Sequence, residues 1–327
     1  MPDLLQRLAL LCGCGLLSGV TAAPQDISLR VEAFRLMERA NSVSRPSHRT
    51  RNHREIVTFR AYRLDGSTVE GQANNIIAGD IERYETTLGD YHAISLHFPD
   101  RIVQNDYQPP PPEMLELEEL TPILLGHFDK SDTINSITPA MLLGRPAHCV
   151  HFETTNGRTH QPANEICFDD ESGTLLRWDV GEELIEDTDY APFESVLMPR
   201  TIRHYINNKL RMEVHQEFSV IEDPIDWNAL TPESAHTLHT CYDYKQPVIQ
   251  SMPQPAGAGP GPWYDVKVHG ALWRDGRVHQ ASVLPVGRPD LEKQALDLVE
   301  TWIFTPAMCN GKPTTIGVDF VVHFPPQ

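Results

Sequence analysis

Apolar and polar residues alternate along much of this chain, and the alternation predicts strands. Ile56-Val57-Thr58-Phe59-Arg60-Ala61-Tyr62-Arg63-Leu64 alternates and ends in Asp65-Gly66. Residues 71–77, 81–88 and 91–98 continue the pattern at short intervals, with turn residues between them. Strands return at 147–153, 165–169, 175–179, 198–207 and 210–220, with Asn207-Asn208 breaking the last two apart. Short strands at this spacing predict a meandering antiparallel sheet. Two stretches follow helical spacing instead. One is 27–37, with Leu29, Val31, Phe34, Leu36 and Met37 mostly at that spacing; the other is 115–128, with Leu117, Leu120, Leu124 and Phe128 on one face. The expected fold class is α+β: a large curved antiparallel sheet, half-barrel-like, with packed helices.

The last sixty residues read differently. Trp273-Arg274-Asp275-Gly276-Arg277-Val278 predicts a hairpin, with Asp275-Gly276 supplying the positive backbone dihedrals of a tight reversal. Leu291, Ala295, Leu298, Val299 and Trp302 make one apolar stripe on a helix over 291–301, with Asp290 as the cap candidate. Asn310-Gly311 marks a second reversal. Val318, Phe320, Val322 and Phe324 then alternate as a half-buried strand should. This is a small β-β-α-β unit over 263–327, in which Trp302 and Phe304 are expected to fill the space between helix and sheet.

The run Trp302-Ile303-Phe304-Thr305-Pro306-Ala307, followed by Asn310-Gly311-Lys312-Pro313 and preceded by Asp275-Gly276-Arg277, resembles the C-terminal domain of the TonB energy-transducer family. The resemblance covers 263–324. It implies a periplasmic protein that docks on an outer-membrane TonB-dependent transporter or another envelope protein. An edge strand would take up an extended peptide, and Val318, Phe320, Val322 and Phe324 are the candidate strand. The chain departs from the family before this unit. Pro255-Ala256-Gly257-Ala258-Gly259-Pro260-Gly261-Pro262 replaces a Tyr-Pro stretch and an Ala-rich helix, and no long Pro-Glu-Lys spacer is present.

A second resemblance lies upstream. An Asp-rich turn leads into Gly173-Thr174-Leu175-Leu176-Arg177-Trp178; Asp189-Tyr190, Met198-Pro199-Arg200-Thr201-Ile202 and a strand broken by Asn207-Asn208 follow. This order resembles the LolA-like half barrel of periplasmic lipoprotein carriers, shared with RseB-type regulators. It implies a concave face that holds a lipid chain, unless helices of the chain itself fill that face. The alternative function is therefore a lipid or lipoprotein carrier or sensor.

Residues 8–20 form an apolar run behind Arg7 and end in Val20-Thr21-Ala22-Ala23, the pattern of a secretory signal peptide cleaved after Ala22. A weak lipobox at Leu11-Cys12-Gly13-Cys14, or an uncleaved anchor, would tie the chain to a membrane instead. Only the anchored form could engage an ExbB/ExbD-like motor. The expected division is a signal at 1–22, a β-rich domain at 24–245, a Pro/Gly/Ala linker at 246–262, and the small domain at 263–327.

Export bears on the cysteines. Without Cys12 and Cys14 four remain, an even count that favours disulfides in an oxidising compartment. Cys149 and Cys167 sit in apolar runs that would face each other as paired strands, which leaves Cys241–Cys309 as a tether. Metal binding is the rival at Cys241, since His236 and His239 precede it, but the spacing fits no zinc pattern.

The net charge is −18, and the acid lies almost wholly between the signal and the small domain. Such a surface does not bind nucleic acid or anionic membrane nonspecifically. Fifteen histidines form no catalytic motif, and no nucleophile elbow or phosphate-binding glycine loop occurs. Asp169-Asp170-Glu171 reads as a solvated turn. Glu182-Glu183 with Glu186-Asp187 reads as a loose acidic loop without ordered calcium-ligand spacing. No catalytic residue, metal or cofactor is expected.

Overall fold

The computed structural model describes residues 27–44, 51–63, 65–105, 110–120, 128, 132–155, 160–181, 183–239, 241, 243–255, 264–284, 286 and 288–325. The expected signal peptide, Cys12, Cys14, Glu182, Trp263 and the linker stretch 256–262 lie outside these residues.

Helix α1 (Ile27–Ser44) opens the described chain. Strands β1 (His53–Tyr62), β2 (Thr68–Ala78), β3 (Ile81–Leu88), β4 (Tyr91–His97) and β5 (Arg101–Gln104) meander, and α2 (Pro112–Leu120) follows. Next come β6 (Asp132–Leu142), β7 (Arg145–Thr155), β8 (His160–Asp169), β9 (Leu175–Val180) and β10 (Glu183–Thr188). A short hairpin, β11 (Ala191–Phe193) and β12 (Val196–Met198), leads to β13 (Thr201–Ile206), β14 (Lys209–Val220) and β15 (His236–His239). The long strands form one 13-stranded antiparallel sheet in the order β15-β5-β4-β3-β2-β1-β14-β13-β10-β9-β8-β7-β6. The sheet is open: β15 and β6 are its two edges. Pro139 lies within β6, where an edge strand tolerates the missing N–H.

Residues directly opposite one another on neighbouring strands share a face. Val150 faces Ile166, Ile166 faces Trp178, Trp178 faces Ile185, Ile185 faces His204, His204 faces Met212, and Met212 faces Ala61. One face therefore runs unbroken from β7 to β1, and both helices cover it. Ala33, Met37 and Ala40 of α1 pack on Ile134, Val150, Phe152, Ile166, Phe168 and Leu175. Met114, Leu117 and Leu120 of α2 pack on Val57, Phe59, Ala61, Ile202, Met212 and Val214. Phe59 crosses directly over Gly71 on β2, where any Cβ would overlap its ring. Helices of the chain itself thus cover the described apolar residues of this face from β7 to β1.

The structure corrects the sequence reading in four places. Helix α2 opens at Pro112, three residues before the expected start, and is described as far as Leu120. Residues 121–127 lie outside the described set, and Phe128, expected to be helical, is not; its ring packs edge-on against Phe34 and Phe152. The acidic loop at 183–187 is strand β10, with Asp187 buried. Asp169, expected in solvent, is also buried: its Oδ1 accepts hydrogen bonds from Glu171 N, Ser172 N and Ser172 Oγ, and Arg145 lies 3.4 Å from its other oxygen.

The small domain begins with β18 (Tyr264–Leu272) and β19 (Val278–Val283), followed by α3 (Pro289–Val299) and β20 (Ile303–Thr305). Strands β21 (Ala307–Cys309), β22 (Lys312–Thr314) and β23 (Ile316–Phe324) complete it. Before it run two short strands, β16 (Tyr244–Lys245) and β17 (Val248–Ser251). Both lie in or beside the expected linker, yet they pair with β21 and β20 of the small domain. The described part of that segment is therefore a strap on the domain.

Candidate partner-binding edge and the interior of the large sheet

The small domain is built around a three-stranded sheet in the order β19-β18-β23, so β23 is an edge. Helix α3 covers one face. Pro289 occupies its first turn, where the missing N–H costs nothing. Arg288 is the N-cap residue rather than Asp290, and no side chain caps the helix. Asp290 lies in the first turn, paired with Arg288, whose guanidinium holds its carboxyl below the usual carboxylate range. Leu291, Ala295 and Val299 are buried against Val266, Val268 and Leu272. Trp302 and Phe304 fill the space between helix and sheet, and both rings pack on Phe320.

The expected reversals are present, with one change of geometry. Only Gly276 of the Asp275-Gly276 pair takes a positive φ, +76°. Gly276 N donates to Trp273 O, and Trp273 N donates to Arg277 O. This is a four-residue turn closed by a left-handed glycine, in place of a two-residue reversal. Asp275 Oδ1 accepts from Arg277 N, and His279 Nε2 lies 2.9 Å from Asp275 Oδ2; these contacts, with the His279 side chain first, keep the Asp275 carboxyl below its ordinary range. Asn310 and Gly311 both take positive φ at the second reversal, and Lys312-Pro313 start β22. Pro306 and Ala307 carry the chain between β20 and β21, with Ala307 fully buried. The TonB-like signature residues thus fix turns and core.

The candidate strand residues need a finer reading. Val322 and Phe324 are buried, while Val318 and Phe320 are half-buried against the same core. Their side chains point into the domain. What β23 offers outward is its second row of backbone N–H and C=O groups, together with exposed Gly317, Asp319 and Val321 on the sheet's other face. That face carries two cross-strand pairs: His269 Nδ1 lies 2.8 Å from Asp319 Oδ1, and His323 Nδ1 lies 2.7 Å from Asp265 Oδ1. An edge of this kind recognises an extended peptide through main-chain hydrogen bonds, and neighbouring side chains select among sequences.

Both expected disulfides form. Cys149 and Cys167 sit directly opposite on β7 and β8, and both are buried. Cys241 and Cys309 join the strap to β21. Cys149, Cys167 and Glu165 lie close together, but both sulfurs are spent in the disulfide. His236 lies on β15, paired with Gln104, so the region of Cys241 serves strand pairing and a disulfide.

The concave face of the large sheet holds polar groups that sequence reasoning missed. Helix α2 carries Glu113 and Glu116 inward. His204 Nδ1 lies 2.7 Å from Glu116 Oε1, and Arg211 Nη2 stands 4.0 Å from Glu116 Oε2. Arg63 Nε donates to Glu113 at 2.5 Å. Charged groups buried this way persist only when paired, so these contacts fix the seat of α2. Asp187 faces the same interior. Tyr190 donates its hydroxyl to Leu175 O at 2.6 Å and stands 3.2 Å from Asp187 Oδ2, while Asp187 Oδ1 has no partner among the described residues. Burial lifts the Asp187 carboxyl to about 7. Burial first, and then the neighbouring Asp187 charge, drive the Tyr190 hydroxyl well above its ordinary range.

Comparison with known proteins adds the following. Residues 265–326 match the family described as Gram-negative bacterial TonB protein C-terminal. No curated protein matches the chain. Among solved structures, the chain is similar to a LolA superfamily protein from Nitrosomonas europaea, at 7% identity and a TM-score of 0.34, covering 61% of this chain and 96% of that one. It is similar to a DUF1329 family protein from Desulfovibrio piger, at 9% identity and a TM-score of 0.39, covering 63% and 98%. It is also similar to the MucA/MucB complex of Pseudomonas aeruginosa, at 11% identity and a TM-score of 0.26, covering 72% and 75%.

Proposed function

We propose that this chain is an exported protein of the Gram-negative cell envelope that acts by binding rather than catalysis, with β23 of its small domain adding a strand from an envelope partner. One observation carries this reading: the segment that matches the TonB C-terminal family ends in a strand that, among the described residues, pairs on one side only. An outer-membrane transporter of the TonB-dependent class is the partner that the match favours. Energy coupling through an ExbB/ExbD-like motor belongs to this reading only if the chain's N-terminus stays anchored in the inner membrane. The alternative, carriage of a lipid chain on the concave face, requires α1 or α2 to leave the apolar residues they cover.

Deletion of residues 264–327 tests the proposal. Capture of outer-membrane proteins by the tagged chain, after crosslinking in cells, should fall to background in the truncated form. Equal capture by the full and truncated chains would place the contact in the large domain and overturn the reading.

A further inference from the structure

The strap before the small domain occupies a second strand-accepting edge. Strand β17 runs antiparallel to β20, with Val248 opposite Thr305, Ile249 opposite Phe304 and Ser251 opposite Ile303. Strand β16 pairs Tyr244 with Cys309 and Lys245 with Met308. Recognition is almost all main chain and small acceptors. Asp243 N donates to Asn310 Oδ1, Val248 N donates to Thr305 Oγ1, and the Thr305 hydroxyl donates back to Val248 O. Trp302 Nε1 donates to Pro253 O.

Apolar burial contributes little to this hold. All four residues of β17 are exposed, Val248 at 62% and Ile249 at 54%. A segment held by backbone pairing with its apolar side chains in water dissociates easily unless its local concentration is kept high. The chain itself tethers the segment at the end nearer β18, and the Cys241–Cys309 bond pins its other end. The two disulfides also differ in access. Cys149 and Cys167 are buried within the large sheet, at 2% and 0% exposure, whereas Cys241 and Cys309 are both part-exposed. Exposure of this kind marks the more reducible bond.

We propose that the β20–β21 edge is a second peptide-binding edge, occupied in cis by residues 243–253 and locked by the Cys241–Cys309 disulfide. A dithiol reductant opens the lock. Its two sulfurs form a disulfide, its two electrons and two protons pass to the Cys241–Cys309 bond, and two thiols remain on the chain. The freed edge takes a short extended peptide without net charge, of the kind residues 243–253 provide, since among the described residues Thr305 Oγ1 and the backbone read it at β20. This proposal is independent of the β23 reading, because it concerns strands that pair outside the β19-β18-β23 sheet.

The test uses the full chain under a limiting dithiol, with alkylation mapping by mass spectrometry and hydrogen exchange on the same samples. Cys241 and Cys309 should alkylate before Cys149 and Cys167. Amides of 244–251 and 303–309 should then exchange about tenfold faster together, while β18 amides keep their protection. Adding a synthetic peptide of residues 243–255 should restore protection at 303–309. A Cys241→Ser/Cys309→Ser chain, measured without reductant, should behave as the reduced protein does. Unchanged protection after selective reduction, loss of protection across β18 as well, no rescue by the peptide, or reduction of Cys149–Cys167 at the same rate would each overturn the proposal.

Discussion

Replacing Gly276 with valine should unfold the small domain and leave the large sheet intact. Gly276 holds φ at +76°, and a Cβ there would overlap the carbonyl oxygen of Phe304. That carbonyl belongs to the backbone of β20 and cannot swing aside as a side chain could. Gly276 O also accepts the hydrogen bond from Phe304 N, so moving the turn away breaks the contact that seats β20. A β-branched residue in left-handed geometry adds its own strain. The combined cost should exceed about 4 kcal/mol, in the class that single substitutions rarely reach. In urea, fluorescence of buried Trp302 should report the loss at far lower denaturant than in the parent. Far-ultraviolet dichroism should keep most of its strand signal. Gly317→Ala is the control: a Cβ there meets nothing closer than the His269 ring at 3.9 Å, so stability should hold.

Asp187→Asn should stabilise the protein, and the gain should depend on pH. The Asp187 carboxyl rests at about 7 in the folded chain, against an ordinary value of 3.8, because burial disfavours its charged form. The folded state therefore keeps a proton that the unfolded state gives up. The contribution of this group is whole below about pH 4 and is lost as pH rises toward 7, where the folded group finally ionises. A difference of about three pKa units corresponds to roughly 4 kcal/mol at pH 8. Asparagine removes the charge and retains an acceptor for Tyr190. Urea midpoints for parent and variant should coincide near pH 4 and separate steadily up to pH 8, with the variant higher. Parallel midpoints across that range would show that Asp187 is solvated in the folded protein.

Signals packed into a short stretch were the legible ones. In the small domain each turn carries its own glycine, the helix carries its own stripe, and β23 alternates cleanly, so local residues specify local structure. The Cys149–Cys167 pairing was legible because both flanking runs alternate and end up directly opposite. The strap was not, since β17 meets β20 more than fifty residues later and its apolar residues face water. Proline and glycine around it correctly suggested a break in regular structure but could not indicate a partner strand. Strand β10 was hidden for another reason. Glu183 opens the strand, Glu186 lies within it, and at an inward position where an apolar residue was due stands Asp187. An acid in a core slot erases the pattern by which strands are read. The seat of α2 was equally hidden, because Glu116, His204 and Arg211 converge only once the sheet has formed. Such departures from pattern are where polar chemistry enters a core.

The central claim is that β23 is the edge on which an envelope partner adds a strand. The most direct measurement places a photo-crosslinking amino acid, in the full-length chain and in cells, at Asp319 or Val321 on β23, and in parallel at Lys293 on the exposed face of α3. Strand addition predicts a discrete crosslinked envelope protein from both β23 positions and none from Lys293. Adducts of equal yield from α3, or none from β23, would contradict it.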